Sequence, residues 1–282
     1  KIDEVVSYKP ISEGARAGFE VVKRFRNSTI TQKIYLYNEL DRIDFDTAVD
    51  WHLRHIIVKA AFPVDVNTNK ATYEIQFGNI ERNHTENTSW DVAKFETCAH
   101  KWADISDNGY GMALMNDCKY GHSVVNDSTI QLSLLRSGNS SSEEVNDQGE
   151  HIMSYSIIPH SGNYIDADIV RKAYAFNNPM IAREINNSDG ALAQSFSLVN
   201  TDSENIIIDT VKKAENNDNV IFRLYESQNK KGRAKLKFGV DIKKLYLCDL
   251  LENIEKEIEV KDNTAEIDVN NFEIITLMAE VE

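Results

Sequence analysis

The chain has 282 residues, of which 41% are hydrophobic and 27% are charged, and its formal net charge is -14. This size allows one large β domain or two smaller domains, and the composition is ordinary for a globular protein. The negative charge repels phosphate and no predicted element carries a basic stripe, so we expect no nucleic-acid partner. No apolar run approaches the ~20 residues that cross a bilayer, so we expect no membrane partner.

Two further features indicate the extent of the polypeptide and its cellular compartment. Its first residues read KIDEVVSYKP, which is strand-like and lacks both a starting methionine and a targeting segment. We therefore interpret the chain as a piece of a longer polypeptide. The three cysteines, Cys98, Cys118 and Cys248, are widely spaced and form no CxxC pair. This pattern favours reduced thiols and a cytoplasmic location.

Period-two alternation of apolar and polar residues recurs along the chain and predicts β-strands. In chain order the clearest stretches are RIDFDTAVDW (42–51), STIQLSLL (128–135), HIMSYSII (151–158), NVIFRLYE (219–226), RAKLKFGVDI (233–242) and FEIITLMAEV (272–281). In RAKLKFGVDI, one predicted face holds Ala234, Leu236, Phe238, Val240 and Ile242. Turn signals such as DNG, NSDG and NKKG separate many of these stretches. The chain is therefore predicted to be mainly β.

One stretch, DADIVRKAYAFNNP, breaks this pattern and predicts a helix. Ile169, Ala173 and Phe176 stand at helical spacing. Asp166 or Asp168 is placed to act as the N-cap, and the Asn-Asn-Pro sequence is a typical end. We expect this to be a single short helix in a chain of strands.

The helix marks the end of a first domain, and we predict two domains at residues 1–184 and 185–282. The first is too long for one small sandwich and fits two large, curved antiparallel sheets packed face to face. The second contains seven or so short strands with close turns, which suit a small β-sandwich. The predicted fold is thus a large antiparallel sandwich followed by a small one, with one short helix between them.

A first candidate site lies in the sequence DQGEH, before the strand HIMSYSII. Gly149 permits a tight turn that would present Asp147, Glu150 and His151 on one rim. The structural alternative is a solvated hairpin loop in which His151 begins the next strand. The local sequence by itself favours that alternative.

A second polar group lies in MNDCKYGHS, between the strand GYGMAL and the strand STIQLSLL. We expect a hairpin-like connection that carries Asn116, Asp117, Lys119, Tyr120 and His122. Asn, Asp and Gly are common turn formers. Lys and Tyr at the same tip are less expected there and suit hydrogen bonds to sugar hydroxyls.

The sequence contains no recognised motif for nucleophilic catalysis or for metal binding. It contains no GxSxG elbow, no HExxH and no HxD element. His52 and His55 lie three apart in a run patterned as a strand, where their side chains would point to opposite faces. Cys98 and His100 would share a strand face, which we interpret as a structural pair. We therefore expect no catalytic residue and no metal ligand in this chain.

The order of the longer motifs resembles a known family. RIDFDTAVDWHLRHIIVKAAFPVDV, ATYEIQFGNIERNHTENTSWDVAKFETCAHKWADIS, GYGMALMNDCKYGHS, LSLLRS, DQGEH and YSIIPHSG follow one another as in family 38 glycoside hydrolases. These are retaining α-mannosidases, and the chain is most similar to their bacterial and cytosolic/vacuolar branch. The resemblance continues through VRKAYAFNNP, VKKAENNDNVIFRLYE and LCDLLE to FEIITL, and so covers nearly the whole chain.

The resemblance implies the C-terminal β region of such an enzyme: a supersandwich similar to galactose mutarotase, followed by a small terminal β-sandwich. In this family a preceding α/β domain supplies the nucleophile, the general acid/base and a zinc ion held by His and Asp. The mechanism needs two carboxyl groups about 5–5.5 Å apart. The resemblance thus implies zinc for the full-length enzyme and no cofactor in this chain. The implied partners are the N-terminal catalytic domain of the same polypeptide and an α-mannoside oligosaccharide.

The resemblance also assigns roles to the two polar groups. It implies that DQGEH helps to shape the substrate pocket, which places four residues near the substrate: Asp147, Gln148, Glu150 and His151. The second group would do the same or would brace that loop, through Asn116, Asp117, Lys119 and Tyr120.

Two other functions remain open from the sequence. A carbohydrate-binding module would use exposed aromatic residues near the polar loops, namely Trp90, Trp102, Tyr110 and Tyr120, although core and strand packing is the favoured explanation of the tryptophans. A mutarotase-like sugar enzyme would pair Asp147 or Glu150 with His160 or His100 for general acid–base catalysis. Only the analogy of fold suggests this last activity, and fold does not determine function.

Overall fold

The computed structural model describes residues 1–107, 109–125, 128–138, 147–186, 190 and 193–281. The chain divides into two compact units. Unit 1 consists of Lys1–Ile75 and Ile80–Met180, and unit 2 of Gln76–Asn79 and Ile181–Glu282. The predicted domains, residues 1–184 and 185–282, stay a prediction. Within the described ranges, no helix combines the length and apolar character that a membrane crossing requires.

The first thirteen strands form two antiparallel sheets. Sheet A consists of β1 (Glu4–Glu13), β2 (Arg16–Phe25), β3 (Ser28–Tyr37), β4 (Ile43–Trp51), β6 (Lys70–Ile75), β7 (Gly78–Asn83), β9 (Trp102–Ser106), β10 (Tyr110–Asn116) and β13 (Gly149–Ser161). Sheet B consists of β5 (Ile56–Pro63), β8 (Thr97–Cys98), β11 (Gly121–Val125) and β12 (Thr129–Ser137). The strand order is β1-β2-β3-β4-β13-β10-β9-β6-β7 in sheet A and β5-β12-β11-β8 in sheet B.

Sheet B packs on one face of sheet A around an apolar core. Trp51 and Met153 of sheet A and Ile130 and Leu132 of sheet B are all buried in this core. They come from the period-two stretches, because alternate residues of a strand point to the same face. Each such burial contributes roughly 1.5–3 kcal/mol to stability. The predicted mainly β fold, with large sheets packed face to face, is confirmed.

The predicted helix is present as α2 (Ile169–Asn177), which packs on β9 and β10 with Ile169 and Ala173 fully buried. Asp168 stands at the N-cap with φ of 53°, but its side chain makes no capping hydrogen bond. Asp166 instead accepts a hydrogen bond from the backbone nitrogen of Asn163. Neither aspartate therefore caps the helix in the way that the sequence predicted.

A second helix, α1 (Ser89–Ala93), was missed in the sequence. It is a five-residue turn that begins with a capping box, in which Thr88 and Asp91 each accept from the other's backbone N–H. This Thr-x-x-Asp pattern is a helix-start signal. All residues of α1 are exposed or half-buried, so no apolar periodicity follows the capping box in the sequence. For this reason the helix was not predicted.

Unit 2 holds two further antiparallel sheets. One consists of β14 (Val199–Thr201), β17 (Gly232–Phe238) and β20 (Thr264–Val269). The other consists of β15 (Ile206–Lys213), β16 (Val220–Glu226), β18 (Ile242–Cys248), β19 (Ile254–Ile258) and β21 (Ile274–Val281), in the order β15-β16-β21-β18-β19. They enclose a core that includes Phe222, Leu236 and Leu277. This is the small β-sandwich that the sequence predicted.

One predicted strand of unit 2 is in fact two. The stretch RAKLKFGVDI was read as continuous, but β17 ends at Phe238 and β18 begins at Ile242. Ala234, Leu236 and Phe238 are buried as predicted, whereas Val240 lies in the connection and is half-buried. Gly239 lies at this break, where an added Cβ would approach the backbone oxygen of Ser197 to 2.1 Å. The close backbone contact at Gly239 separates the two strands.

A buried carboxylate organises the connections of unit 2. Glu226, at the end of β16, is fully buried and accepts three hydrogen bonds. Their donors are the Asn205 amide nitrogen (3.1 Å), the backbone nitrogen of Gln228 (2.7 Å) and the backbone nitrogen of Phe272 (2.9 Å). One side chain therefore joins three segments that are far apart in sequence.

We expect Glu226→Gln to lower the free energy of unfolding by about 1–3 kcal/mol, because the new amide N–H₂ would face a donor and leave it unsatisfied. Urea unfolding followed by circular dichroism measures this. The control is Glu257→Gln on the exposed strand β19, for which we expect a change within about 0.5 kcal/mol. Equal effects of the two substitutions would contradict the assigned role.

Candidate functional site

The connection that follows β10 was predicted to be a hairpin, and this prediction is wrong. β10 belongs to sheet A and the next strand, β11, belongs to sheet B. Residues 117–120 therefore cross from one sheet to the other. A run of turn-forming residues is compatible with both connections, and packing of the two sheets selects the crossing. His122 consequently lies within β11, fully buried, and does not belong to the loop.

Asn116 braces this crossing from inside. It is 1% exposed, its amide nitrogen donates to the backbone oxygen of His100 (2.9 Å), and its side-chain oxygen accepts from the backbone nitrogen of Lys119 (2.6 Å). The backbone oxygen of Asn116 also accepts from Asn177 of α2 (3.1 Å). These contacts use the side chain for local structure and leave it out of reach of a ligand.

Beyond Asn116 the crossing reaches the surface. Tyr120 is exposed, and its ring lies edge-on to the His100 ring with centroids 5.5 Å apart. Lys119 is half-buried. Cys118 precedes these two residues in the sequence. Desolvation and the neighbouring Asp117 carboxylate raise the pKa of its thiol to about 11. The thiol therefore stays protonated at neutral pH and is a poor nucleophile.

Asp117 connects this crossing with β13. Its carboxylate accepts from the backbone nitrogen of Ser154 (3.0 Å), and its own backbone nitrogen donates to the oxygen of Ser154 (3.1 Å). The hydroxyl of Ser154 donates to Asp46 of β4 (3.0 Å). Asp117 and Asp46 thus lie on either side of one serine, at the surface of sheet A.

The DQGEH group is divided by the start of β13. Gly149 begins the strand with φ of 110°, and Glu150 and His151 follow as consecutive strand residues. Consecutive strand side chains point to opposite faces, so Glu150 and His151 do not share a rim as the turn had suggested. The alternative, with His151 at the start of a strand, describes the backbone correctly. The segment is not a hairpin, however, since β12 and β13 belong to different sheets.

Asp147 and Gln148 are engaged in local structure. The carboxylate of Asp147 accepts from the backbone nitrogen of Arg136 (2.7 Å), and the backbone oxygen of Asp147 lies 3.2 Å from His151 Nε2. Gln148 donates from its amide nitrogen to the backbone oxygen of His52 (3.0 Å). Asp147 and His151 therefore stabilise the entry into β13, while Gln148 ties it to the end of β4.

Glu150 contributes to an acidic surface that the sequence analysis missed. It is exposed and lies directly opposite Asp50 in the register of β13 and β4. Four carboxylates occupy this surface, Asp46, Asp50, Asp117 and Glu150, and we call them the acidic face. His52 lies beside it, with Nε2 2.9 Å from Asp50 Oδ1. Asp46 and Asp50 of RIDFDTAVDW are an even number of residues apart and so share one face of β4, but only the register brings Glu150 beside Asp50.

The two histidines of DWHLRH are not on a strand as predicted. β4 ends at Trp51 and β5 begins at Ile56, so His52 and His55 lie in the connection between the two sheets. Within the described ranges, no group of three or more His, Cys, Asp or Glu side chains is arranged to hold a metal ion. The predicted strand face shared by Cys98 and His100 is also absent, because β8 ends at Cys98.

The aromatic and acid–base alternatives can be placed as well. Trp102 is 1% exposed and stacks on Tyr164 with centroids 5.1 Å apart, so it cannot stack on a sugar, whereas Trp90 is 79% exposed.

His160 lies ten residues beyond Glu150 on β13, which corresponds to roughly 33 Å of extended strand. Its Nε2 is 2.7 Å from Asp104 Oδ2, and both side chains are buried. The mutarotase-like pairing with Glu150 is therefore not formed.

Comparison with known proteins decides the family. The sequence profile described as "Glycosyl hydrolases family 38 C-terminal domain" matches residues 3–144. The chain belongs to glycosyl hydrolase family 38. A second profile of family 38, described as "C-terminal beta sandwich domain", matches residues 205–277 in unit 2. The resemblance drawn from the motifs is thus confirmed, and both profiles assign the chain to the C-terminal region of family 38.

Named relatives agree with this assignment. The chain is 36% identical to "Alpha-mannosidase 2C1" of Homo sapiens over 257 residues, which are 89% of this chain and 24% of that protein. It is 38% identical to "Alpha-mannosidase G" of Dictyostelium discoideum over 256 residues, 89% of this chain and 23% of that protein. This family 38 chain thus spans about a quarter of the length of these curated relatives.

A solved structure shares the fold. The crystal structure of an α-mannosidase from Enterococcus faecalis V583 superposes with a TM-score of 0.84 at 17% identity, covering 99% of this chain and 35% of that one. At this identity the likeness concerns the fold alone.

Proposed function

We propose that this chain is the C-terminal β region of a longer α-mannosidase polypeptide. There it supports a separate catalytic domain and lines one side of the pocket that binds an α-mannoside oligosaccharide. The observation that carries this proposal is the match of two consecutive family 38 C-terminal domains to a chain that spans 24% of an α-mannosidase. The cytoplasmic location suggested by the cysteines stays a prediction.

The acidic face is the part of this chain that we assign to the substrate pocket. Carboxylates accept hydrogen bonds from hydroxyl groups, and charged acceptors form the stronger bonds of this kind. Asp50 and Glu150 lie opposite each other at the end of β4 and the start of β13, with His52 beside them. Asp117 and its neighbours Lys119 and Tyr120 would extend the contact with sugar hydroxyls.

The bond-breaking groups are assigned to the preceding domain. A retaining mechanism needs a nucleophile and a general acid/base about 5–5.5 Å apart across the glycosidic bond. The side chains in the described ranges do not fit a zinc ion either, since no suitable cluster of three is present among them. The zinc implied for the family would therefore be held elsewhere on the polypeptide, and this chain contributes support and substrate contacts.

The test compares two proteins with an aryl α-mannoside as substrate. The complete polypeptide, including the sequence encoded upstream of Lys1, is expected to hydrolyse the substrate in a zinc-dependent manner, and the present chain alone is expected to be inactive. Turnover by the isolated chain, purified free of contaminating glycosidase, would show that the catalytic machinery lies here after all. Absence of turnover by the complete polypeptide would refute the assigned activity.

A substitution in the acidic face tests the pocket. In the complete polypeptide we expect Glu150→Gln to raise KM roughly three- to tenfold with kcat changed less than twofold, since replacing a charged hydrogen bond by a neutral one costs about 1 kcal/mol. Steady-state kinetics with a manno-oligosaccharide measures this. Glu257→Gln, which removes an exposed carboxylate from unit 2, is the control and is expected to leave both constants unchanged. An unchanged KM in Glu150→Gln would remove the acidic face from the pocket.

A further inference from the structure

Sheet B is too narrow to cover sheet A. In the described part of the chain, sheet A has nine strands and sheet B has four. The edge strand of sheet B, β5, lies over β4 and β13, because the Phe62 ring is 5.6 Å from that of Phe45 and 6.3 Å from that of Tyr155. Since β3, β2 and β1 follow β4 in the order of sheet A, much of these three strands extends beyond the edge of sheet B.

The uncovered part of sheet A exposes large apolar side chains on its core-facing side. Tyr8 of β1, Phe19 of β2 and Leu36 of β3 lie on the side that also carries the buried Ile30. Their exposed fractions are 73%, 52% and 59%. We call these three residues the β1–β3 apolar face. Adjacent large apolar side chains exposed in this way mark an interaction surface.

The opposite side of the same strands carries ion pairs. There Lys9 pairs with Glu20 at 2.9 Å across β1 and β2, and Arg16 pairs with Glu13 at 2.8 Å. In a sheet with one face in water, ionic side chains occupy that face and apolar side chains turn towards a second layer. The alternation in β1–β3 therefore predicts a second layer on the apolar face.

The edge of sheet B provides the place where this layer joins. β5 reads IIVKAAFP, pairs with β12 on one side, and ends the order of sheet B in the described part of the chain. Its inward-facing Phe62 is only half-buried. Native proteins protect sheet edges with charges, bulges or a covering segment, whereas β5 carries a single charge, Lys59. An additional strand beside β5 would lie over β3 and its neighbours.

We propose that further β-strands, from a part of the longer polypeptide outside the present chain, pair with β5 and cover the β1–β3 apolar face. This rests on the proposed function, because the chain spans only 24% of an α-mannosidase relative and so leaves most of such a polypeptide to supply the strands. One occupant accounts for both the open apolar edge and the uncovered apolar face. The supersandwich is thus completed by residues that lie outside this chain.

Cysteine labelling of the complete polypeptide tests the proposal. Tyr8→Cys places a thiol on the apolar face, and Lys9→Cys places one on the neighbouring, ion-paired face of the same strand. Both variants are treated with iodoacetamide under native conditions, and modification at each position is followed by mass spectrometry. We expect the thiol at position 8 to react at least ~10-fold more slowly than that at position 9, since a covered site reacts only through local opening.

A second pair, Leu36→Cys and Lys33→Cys on β3, keeps the test valid if Tyr8→Cys fails to fold. Equal labelling rates within the pairs would overturn the proposal. Protection that disappears when a dimer is diluted to monomers would also overturn it, in favour of a second copy of the chain as the occupant. The same preparations are assayed with an aryl α-mannoside, so that loss of the assigned activity and exposure of the apolar face are recorded separately.

Discussion

Acidification from pH 6.5 to pH 4 is expected to remove about 3 kcal/mol from the stability of this chain through one residue, His122. Its side chain is fully buried in β11, and desolvation is the main cause that lowers its pKa from 6.5 to about 4. A hydrogen bond involving Tyr120 and the charge of Glu96 oppose this shift, while the charges of Arg82 and His100 add to it. Desolvation prevails, and the folded chain holds this imidazole neutral.

The sign of the effect follows from proton binding. Below pH 6.5 the unfolded chain binds a proton at His122, whereas the folded chain does so only near pH 4. The unfolded state therefore gains stability throughout this window, and the free energy of unfolding falls as the pH falls. Above pH 6.5 the imidazole is neutral in both states, and this group makes no contribution to the pH dependence.

Urea unfolding at pH 7, 6, 5 and 4 measures the effect. His122→Gln cannot titrate, so we expect the difference in unfolding free energy between the unmodified chain and this variant to shrink by about 3 kcal/mol between pH 7 and pH 4. His55→Gln, at an exposed position, is the control and is expected to keep the pH dependence of the unmodified chain. Parallel curves for His122→Gln and the unmodified chain would contradict the assignment.

Replacement of Trp51 by alanine is expected to cost about 3–5 kcal/mol, the largest effect of a single substitution that we predict. Trp51 is fully buried at the end of β4 and stacks on Phe25 with centroids 6.2 Å apart. Its indole nitrogen donates to the hydroxyl of Ser137 on β12 (2.9 Å). The side chain thus fills the core and also joins sheet A to sheet B. A loss of this size is a large fraction of the ~5–15 kcal/mol that stabilises a typical domain.

Two further substitutions separate packing from hydrogen bonding. Ser137→Ala leaves the indole N–H of Trp51 buried without its acceptor and is expected to cost about 1–3 kcal/mol. Trp90→Ala removes an equally large side chain that is 79% exposed, and the expected change is within about 0.5 kcal/mol. Urea unfolding at pH 7 ranks the three variants. A cost for Trp51→Ala no greater than that for Trp90→Ala would show that this core does not depend on the sheet-bridging tryptophan.

The candidate site was only partly predictable because it depends on strand pairing. The even spacing of Asp46 and Asp50 indicates that these two acids share one face of a strand. Nothing local specifies that β13 pairs with β4, so the meeting of Glu150 with Asp50 across 100 residues could not be foreseen. Turn-forming residues before Gly121 were likewise read as a hairpin, although their strands belong to different sheets. Pairing partners are selected by the packing of whole sheets, and a local pattern contains no information about them.

The sequence by itself determined that the chain is mainly β, that a helix lies within DADIVRKAYAFNNP, and which family the ordered motifs resemble. These properties depend on side-chain periodicity, on turn chemistry and on ordered motifs, all of which are local or linear. Only the tertiary structure decided that Asp147 and His151 brace a strand while Glu150 joins an acidic face. It also decided that His122 is buried and that the β1–β3 apolar face is uncovered. These properties depend on which surfaces of distant strands come into contact, and burial and desolvation exist only once those surfaces have packed.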